Sequence, residues 1–220
     1  MPFIVAHRGA SAYELENTIA AFEKAIRLGA KFLECDIRLS KDDELVVFHD
    51  ASLQRLWRVS ANVNDLTVEE LRKYRVPTLS ELLDLIKSYK RKGKKLTLLI
   101  EIKEPGIEEK LARLLKQKHI LRNVIVVSFF EKSLEKMRAL LPVKIGFIFS
   151  IRLDGIETAL KLKPNFIIPR YDVITKDLVK IAHKNKMKVI AWTVDDKNLA
   201  LKLAKLKVDG IASNKPDLLQ

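Results

Sequence analysis

The sequence predicts an α/β protein built on a parallel sheet whose faces are covered by helices. Short runs rich in Val, Ile and Leu alternate with helical patterns from one end to the other. Buried parallel strands read as such continuous apolar runs, because both of their faces are covered. No repeat, low-complexity tract or Gly/Pro-rich linker divides the 220 residues, so a single domain over 1–220 is expected. Nine strand candidates, one following its neighbour without a helix between, are compatible with a (β/α)8 TIM barrel. A doubly wound open sheet fits the alternation almost as well, and periodicity does not choose between them.

The strand candidates are 2–7, 31–38, 44–50, 95–103, 123–129, 144–149, 166–170, 188–194 and 210–213. After the first, Ile19, Phe22 and Ile26 make an apolar stripe at helical spacing, and Gly29 supplies a stop. Two later helices open on capping boxes, Thr67 with Glu70 and Thr78 with Glu81, each a Thr followed by Glu three residues on. Further helices are expected over 107–118, 131–141, 155–162, 175–186 and 196–206. Residues 51–77 are the least regular stretch and read as a short insertion over the carboxyl edge of the sheet.

Composition narrows the possible functions. The chain is 48% hydrophobic and 31% charged, which suits an ordinary globular core. No apolar run approaches eighteen residues, so integral membrane association is not expected. The start, MPFIVAHRGASA, has neither the basic opening nor the apolar stretch of a secretory signal. Cys35 is the only cysteine, which fits a reducing, cytoplasmic setting. The net charge of +13 would attract anions. Its lysines, however, lie in helical stretches such as KSYKRKGKK without the interleaved aromatics of a nucleic-acid platform. A solvated surface is the expectation, with no nucleic-acid partner.

Chemistry gathers at the ends of the strands. His7 follows FIVA, Glu34 and Asp36 lie in KFLECDIR, His49 follows ELVVF and Glu101 lies in LTLLIEIK. An ionisable group on a buried strand costs free energy unless paired or ligated. Side chains alternate across a strand, so Glu34 and Asp36 share a face that Cys35 does not. Glu101 and Lys103 likewise share one. Three converging carboxylates repel unless a cation neutralises them, and all-oxygen ligation suits Mg²⁺, Mn²⁺ or Ca²⁺. The competing reading is a set of buried salt bridges to Arg38, Arg55 and Lys103. Two histidines can divide acid and base work near neutral pH. Arg8 can hold a phosphate bidentately, and Gly9 beside it permits close backbone approach. His119 and His183 sit in helical surface stretches and look incidental. Phosphate-loop, dinucleotide and nucleophile-elbow signatures are missing.

The ordered set HRG (7–9), ENT (16–18), the AF…A…GA…E.D run from Ala21 to Asp36, HD (49–50) and VPTLSELL (76–83) resembles the glycerophosphodiester phosphodiesterase family. EIK (101–103), VSF (127–129), AWTVDD (191–196) and IASNKPDLL (211–219) extend the resemblance to the last residues. It implies a TIM barrel with its site at the carboxyl ends of the strands. It implies one divalent cation on Glu34, Asp36 and Glu101, with His7 and His49 as the acid–base pair. It also implies that Arg8 and Lys103 contact phosphate, that Glu16 and Asn17 support the site, and that Trp192 packs against the glycerol.

Two departures stand out. Leu15 replaces the Pro that often precedes ENT. Leu53, Gln54 and Arg55 lead into Leu56 and Trp57, where the family usually has a pair of threonines. These positions leave the alcohol open and hint at a bulkier, lipid-like group.

The reaction so implied is hydrolysis of a small glycerophosphodiester to sn-glycerol 3-phosphate and an alcohol. Attack by water and attack by the glycerol 2-hydroxyl through a cyclic phosphate both remain open, as does which histidine is the base. A lysophospholipase D acting on lysolipids is the second enzymatic reading. A non-catalytic binder of nucleic acid or anionic membrane through the basic face is the rival from another class.

Overall fold

The computed structural model describes the backbone of residues 1–220 and every side chain but that of Lys90. The chain opens with β1 (Phe3–Ala6), α1 (Ile19–Arg27), β2 (Phe32–Leu39) and β3 (Leu45–Val47). The insertion contributes α2 (Gln54–Trp57) and α3 (Val68–Arg72), and α4 (Leu79–Arg91) follows. Strands and helices then alternate as β4 (Thr97–Ile102), α5 (Glu108–Gln117), β5 (Val124–Ser128), α6 (Glu131–Leu140) and β6 (Lys144–Phe149). The rest are α7 (Arg152–Leu162), β7 (Phe166–Pro169), α8 (Lys176–Lys184), β8 (Lys188–Ala191), α9 (Lys197–Lys205) and β9 (Gly210–Ser213).

β1 pairs in parallel with both β2 and β9. The sheet therefore closes into a ring of eight parallel strands, a TIM barrel, and the open-sheet alternative is overturned. The ninth candidate strand is no stave of it. β3 pairs antiparallel with the end of β2, Ile37 opposite Val47 and Leu39 opposite Leu45. Five residues separate the two strands, enough for a turn but far too few for a parallel crossover. Ser40 and Glu44 close that turn, with Asp43 in the left-handed region at φ 63°.

Alternation along the staves sorts their side chains. Ala6, Leu33, Cys35, Ile37, Ile100 and Ile102 face the helices, in the large outer core. Val5, Leu99, Val127, Ile148, Ile168 and Ile190 fill the ring, and Phe3 stacks on Phe32 lower down, 4.3 Å between centroids. Both capping boxes form, at Thr67 with Glu70 and at Thr78 with Glu81. α7 starts three residues before its expected Gly155. The ring of Phe149 occupies the space that a Cβ on Gly155 would need, so Gly155 lets the helix lie flat on β6. Residues 51–77 build a small core of their own, in which Leu53, Val63 and Leu71 are buried under Leu56, Trp57 and Tyr74. No helix among the described residues is long and apolar enough to cross a membrane.

Candidate active site

At the carboxyl end of the ring the apolar layers give way to polar ones. The inward positions continue from Val5 to His7, from Phe32 to Glu34 and Asp36, and from Leu99 to Glu101 and Lys103. Together they open onto a cavity of about 140 Å³, lined by His7, Arg8, Glu34, His49, Glu101 and Lys103 on one side. Phe129 and Trp192 form its other wall, and Val5, Leu99 and Ile190 part of its floor.

The turn after β1 is shaped around this cavity. Arg8 and Asn17 are left-handed, at φ 56° and 59°, an uncommon conformation for residues other than glycine. It aims the Arg8 N–H at Glu34 Oε2, 2.8 Å away, and the Arg8 guanidinium at Glu16 (2.9 Å) and Asp36 (3.2 Å). Gly9, at φ 80°, passes so close to α1 that a Cβ would come within 2.6 Å of the Ala21 carbonyl carbon. Asn17 donates from Nδ2 to Asp36 Oδ2 at 2.8 Å. Lys103 Nζ lies 2.8 Å from Glu101 and 3.6 Å from Asp36. Arg8, Lys103, Glu16 and Asn17 thus all reach the carboxylates directly or at one remove.

The three carboxylates are almost fully buried, and one oxygen from each lies within 4.8 Å of the others. Burial and the neighbouring Asp36 push Glu34 well above the usual carboxylate range. Glu101 is raised to about 7, again by burial first and Asp36 second. Burial also works against Asp36, but Arg8 and then Lys103 outweigh it and hold that group below its ordinary value. Glu34 Oε1 and Asp36 Oδ1 are buried without a hydrogen-bond partner. Two orphaned acceptors in a cluster of repelling carboxylates fit a hard divalent cation, which takes oxygen ligands. The salt-bridge reading is partial: Arg38 and Arg55 pair elsewhere, and Lys103 alone leaves these oxygens unsatisfied.

His7 Nδ1 meets Asn214 Oδ1 at 2.8 Å, and His49 Nδ1 meets Asp50 at 2.6 Å. Burial lowers the pKa of both, with Arg8 adding to it in His7. Arg55 reaches in from the insertion and bonds Asp50 through Nε (2.6 Å) and Glu16 through both terminal nitrogens (2.5 and 3.0 Å). Sequence reasoning assigns no individual role to Asp50, Asp195 or Asn214, although Asp195 and Asn214 lie just past apolar strands, as His7 does, and it casts Arg55 only as a salt-bridge partner of the carboxylates. Leu56 and Trp57 do not line the cavity. Trp57 packs 5.7 Å from the Tyr74 ring inside the insertion, which corrects the hint of a lipid groove there. His183 pairs with Asp209 at the surface, apart from the site, and His119 lies in a separate surface hollow.

A family model, "Glycerophosphoryl diester phosphodiesterase family", matches residues 7–218. The chain belongs to that family. Its relatives cover it end to end. A glycerophosphodiester phosphodiesterase of Caldanaerobacter subterraneus subsp. tengcongensis is 36% identical over 236 residues, spanning 98% of this chain and 95% of that one. The Thermotoga maritima glycerophosphodiester phosphodiesterase structure superposes with a TM-score of 0.84 at 29% identity, covering 99% and 96% of the two chains. A phosphodiesterase of Oleispira antarctica, solved with the product sn-glycerol-3-phosphate, gives 0.85 at 26% identity over 99% and 94%. Membership makes this chain a phosphoric diester hydrolase, with an acidic cluster fit for a divalent metal.

Proposed function

We propose that the chain hydrolyses small, soluble glycerophosphodiesters to sn-glycerol 3-phosphate and an alcohol, with Mg²⁺, Mn²⁺ or Ca²⁺ as cofactor, as a single-domain cytoplasmic enzyme. One observation carries the reading: Glu34, Glu101, two histidines and two cationic side chains line a single cavity, and buried carboxylate oxygens of Glu34 and of Asp36 behind it lack a hydrogen-bond partner. A divalent cation on Glu34, Asp36 and Glu101 would offset the charge that gathers on the phosphoryl oxygens. Arg8 and Lys103 add fixed positive charge beside them. His7 and His49 move the protons, one from the attacking hydroxyl and one to the leaving oxygen. Glu16 and Asn17 hold Arg8 and Asp36 in place. Trp192 is braced by its Nε1 donating to Ile168 O at 2.8 Å and by the edge of Phe129 at 5.6 Å. Its ring offers the glycerol carbons an apolar wall.

Lysolipid hydrolysis is favoured by one separate feature. Phe129 and Phe130 after β5, Ile151 and Leu153 at the start of α7, and Tyr171 after β7 are all exposed. Exposed apolar side chains that follow successive strands at this end of the ring would suit the acyl chain of a lysolipid.

Release of sn-glycerol 3-phosphate from glycerophosphocholine and glycerophosphoethanolamine tests the main reading, with each metal in turn and with EDTA. Metal-dependent release is expected. His7→Ala and His49→Ala are expected to lower kcat by about 10²–10⁴-fold with melting temperatures little changed. Full activity in either variant would remove that histidine from the mechanism. No release with any metal, together with cleavage of lysophosphatidylcholine that Phe130→Ser and Leu153→Ser weaken, would establish the second reading instead.

A further inference from the structure

The two histidines are held by different chemistry. His49 leans on a carboxylate, His7 on an amide. An amide has a donor end and an acceptor end, so the end that faces His7 decides which ring nitrogen bears hydrogen.

That end is fixed from the far side. Asp195 can only accept when ionised. It takes the Asn214 backbone N–H at Oδ1 (2.8 Å), the Ser213 hydroxyl at Oδ1 (2.9 Å) and the Asn214 side chain at Oδ2 (2.5 Å). The last contact must be Nδ2, since a carbonyl oxygen there would face a carboxylate oxygen. Oδ1 of Asn214 is therefore turned to His7. The Ser11 hydroxyl lies 2.8 Å from that oxygen and 2.7 Å from His7 O. It has one hydrogen to give and leaves the orientation unchanged. With an acceptor at 2.8 Å, Nδ1 of His7 carries a hydrogen. Neutral His7 then keeps its lone pair on Nε2, the nitrogen left to the cavity that the residue lines.

We propose that Asp195 and Asn214 are positioning residues that lock neutral His7 as its Nδ1–H tautomer, so that His7 enters the reaction as the proton acceptor. The acceptor role rests on the hydrolytic reading above; the tautomer does not. In that step the attacking water, or the glycerol 2-hydroxyl whose cyclic phosphate water then opens, gives a proton to Nε2 of His7 while its oxygen bonds phosphorus. The bond from phosphorus to the leaving alcohol breaks, and that oxygen takes a proton from His49. An acceptor on the far ring nitrogen is the usual means of fixing a tautomer; here that acceptor is an amide oriented by a carboxylate.

The test is nitrogen NMR of the full chain labelled with ¹⁵N-histidine, His7 being assigned by its loss in His7→Ala. Wild type is expected to show hydrogen on Nδ1 and none on Nε2 above the His7 pKa. Asp195→Asn lets the Asn214 amide turn over. The expected result is a mixed or reversed His7 tautomer and a fall in kcat of about tenfold or more, with KM within about twofold. Asp195→Glu, which keeps the carboxylate, should restore much of both. Hydrogen on Nε2 in the wild type would overturn the proposal without any variant. So would an Asp195→Asn protein with unchanged tautomer and unchanged kcat. Absence of diesterase activity in wild type, with Nδ1–H still seen, would remove the acceptor role while the tautomer stood.

Discussion

Replacing Glu34 by Gln is expected to raise the melting temperature of the metal-free protein while lowering its diesterase rate about a thousandfold. The two effects have one cause. Glu34 is buried beside Asp36 and Glu101, and both burial and their charge oppose its ionisation. At neutral pH the unfolded chain ionises this group freely, whereas the fold opposes its charged form, which subtracts from stability. Gln has nothing to protonate. Its amide hydrogens also point a donor at the crowded oxygens, and the Arg8 N–H keeps an acceptor. Swapping such a buried ionisable group for a neutral isostere is worth about 1–2 kcal/mol, or a few degrees in a chain of this size. The gain should fade below about pH 4.5, where the unfolded chain is protonated too. Loss of one ligand removes several kcal/mol of transition-state stabilisation, and about 4 kcal/mol is the thousandfold. Thermal melts in EDTA beside a glycerol 3-phosphate assay decide the matter. A destabilised but active variant would make Glu34 a structural partner of the Arg8 turn and nothing more.

The stabilisation conferred by Mg²⁺ or Mn²⁺ should grow as pH rises through about 7. Glu101 titrates at about 7 in the fold, against 4.5 for a glutamate free in water. Between those values the folded, metal-free chain holds a proton that the unfolded chain has lost. Its contribution is therefore complete below about pH 4.5 and disappears as pH rises to 7. The span, at about 1.4 kcal/mol per unit, is up to about 3 kcal/mol. Asp36 runs the other way: its lowered value adds stability above its unfolded pKa, lost as pH falls through its folded one. A cation needs the carboxylates bare, so binding expels protons and tightens with pH. Melting temperatures with and without metal, taken from about pH 5 to pH 9, should diverge steadily. A constant gap would deny that Glu101 is raised.

The inward-facing site residues were legible because a strand has a period of two. Glu34, Asp36, Glu101 and Lys103 fall on the inward phase of apolar staves, where an ionised side chain is too costly to persist without a partner or a ligand. His49 was legible as a strand end, but its strand lies outside the ring, which the five-residue gap before it could have disclosed. The holders of the histidines were not legible as such. Asn214 is 207 residues from His7 in the chain and Asp195 is 19 from Asn214, and no local period links them. Arg55 lies in a stretch without strong periodicity, where Leu56 and Trp57 looked like substrate contacts. They are partly buried side chains packed over a small insertion core, and Arg55 is the side chain that reaches the site from it.

The closing pair of the ring has a consequence for how the enzyme is born. Of the strands of this ring, β1 is made first and β9 last, and they lie side by side. His7 follows the one and Asn214 the other. A nascent chain thus carries its carboxylates, cations and both imidazoles for most of its synthesis with the His7 ring unheld. The acceptor that orients that ring arrives only as the final stave docks. On the proposed mechanism, catalytic competence would wait on the closing of the ring.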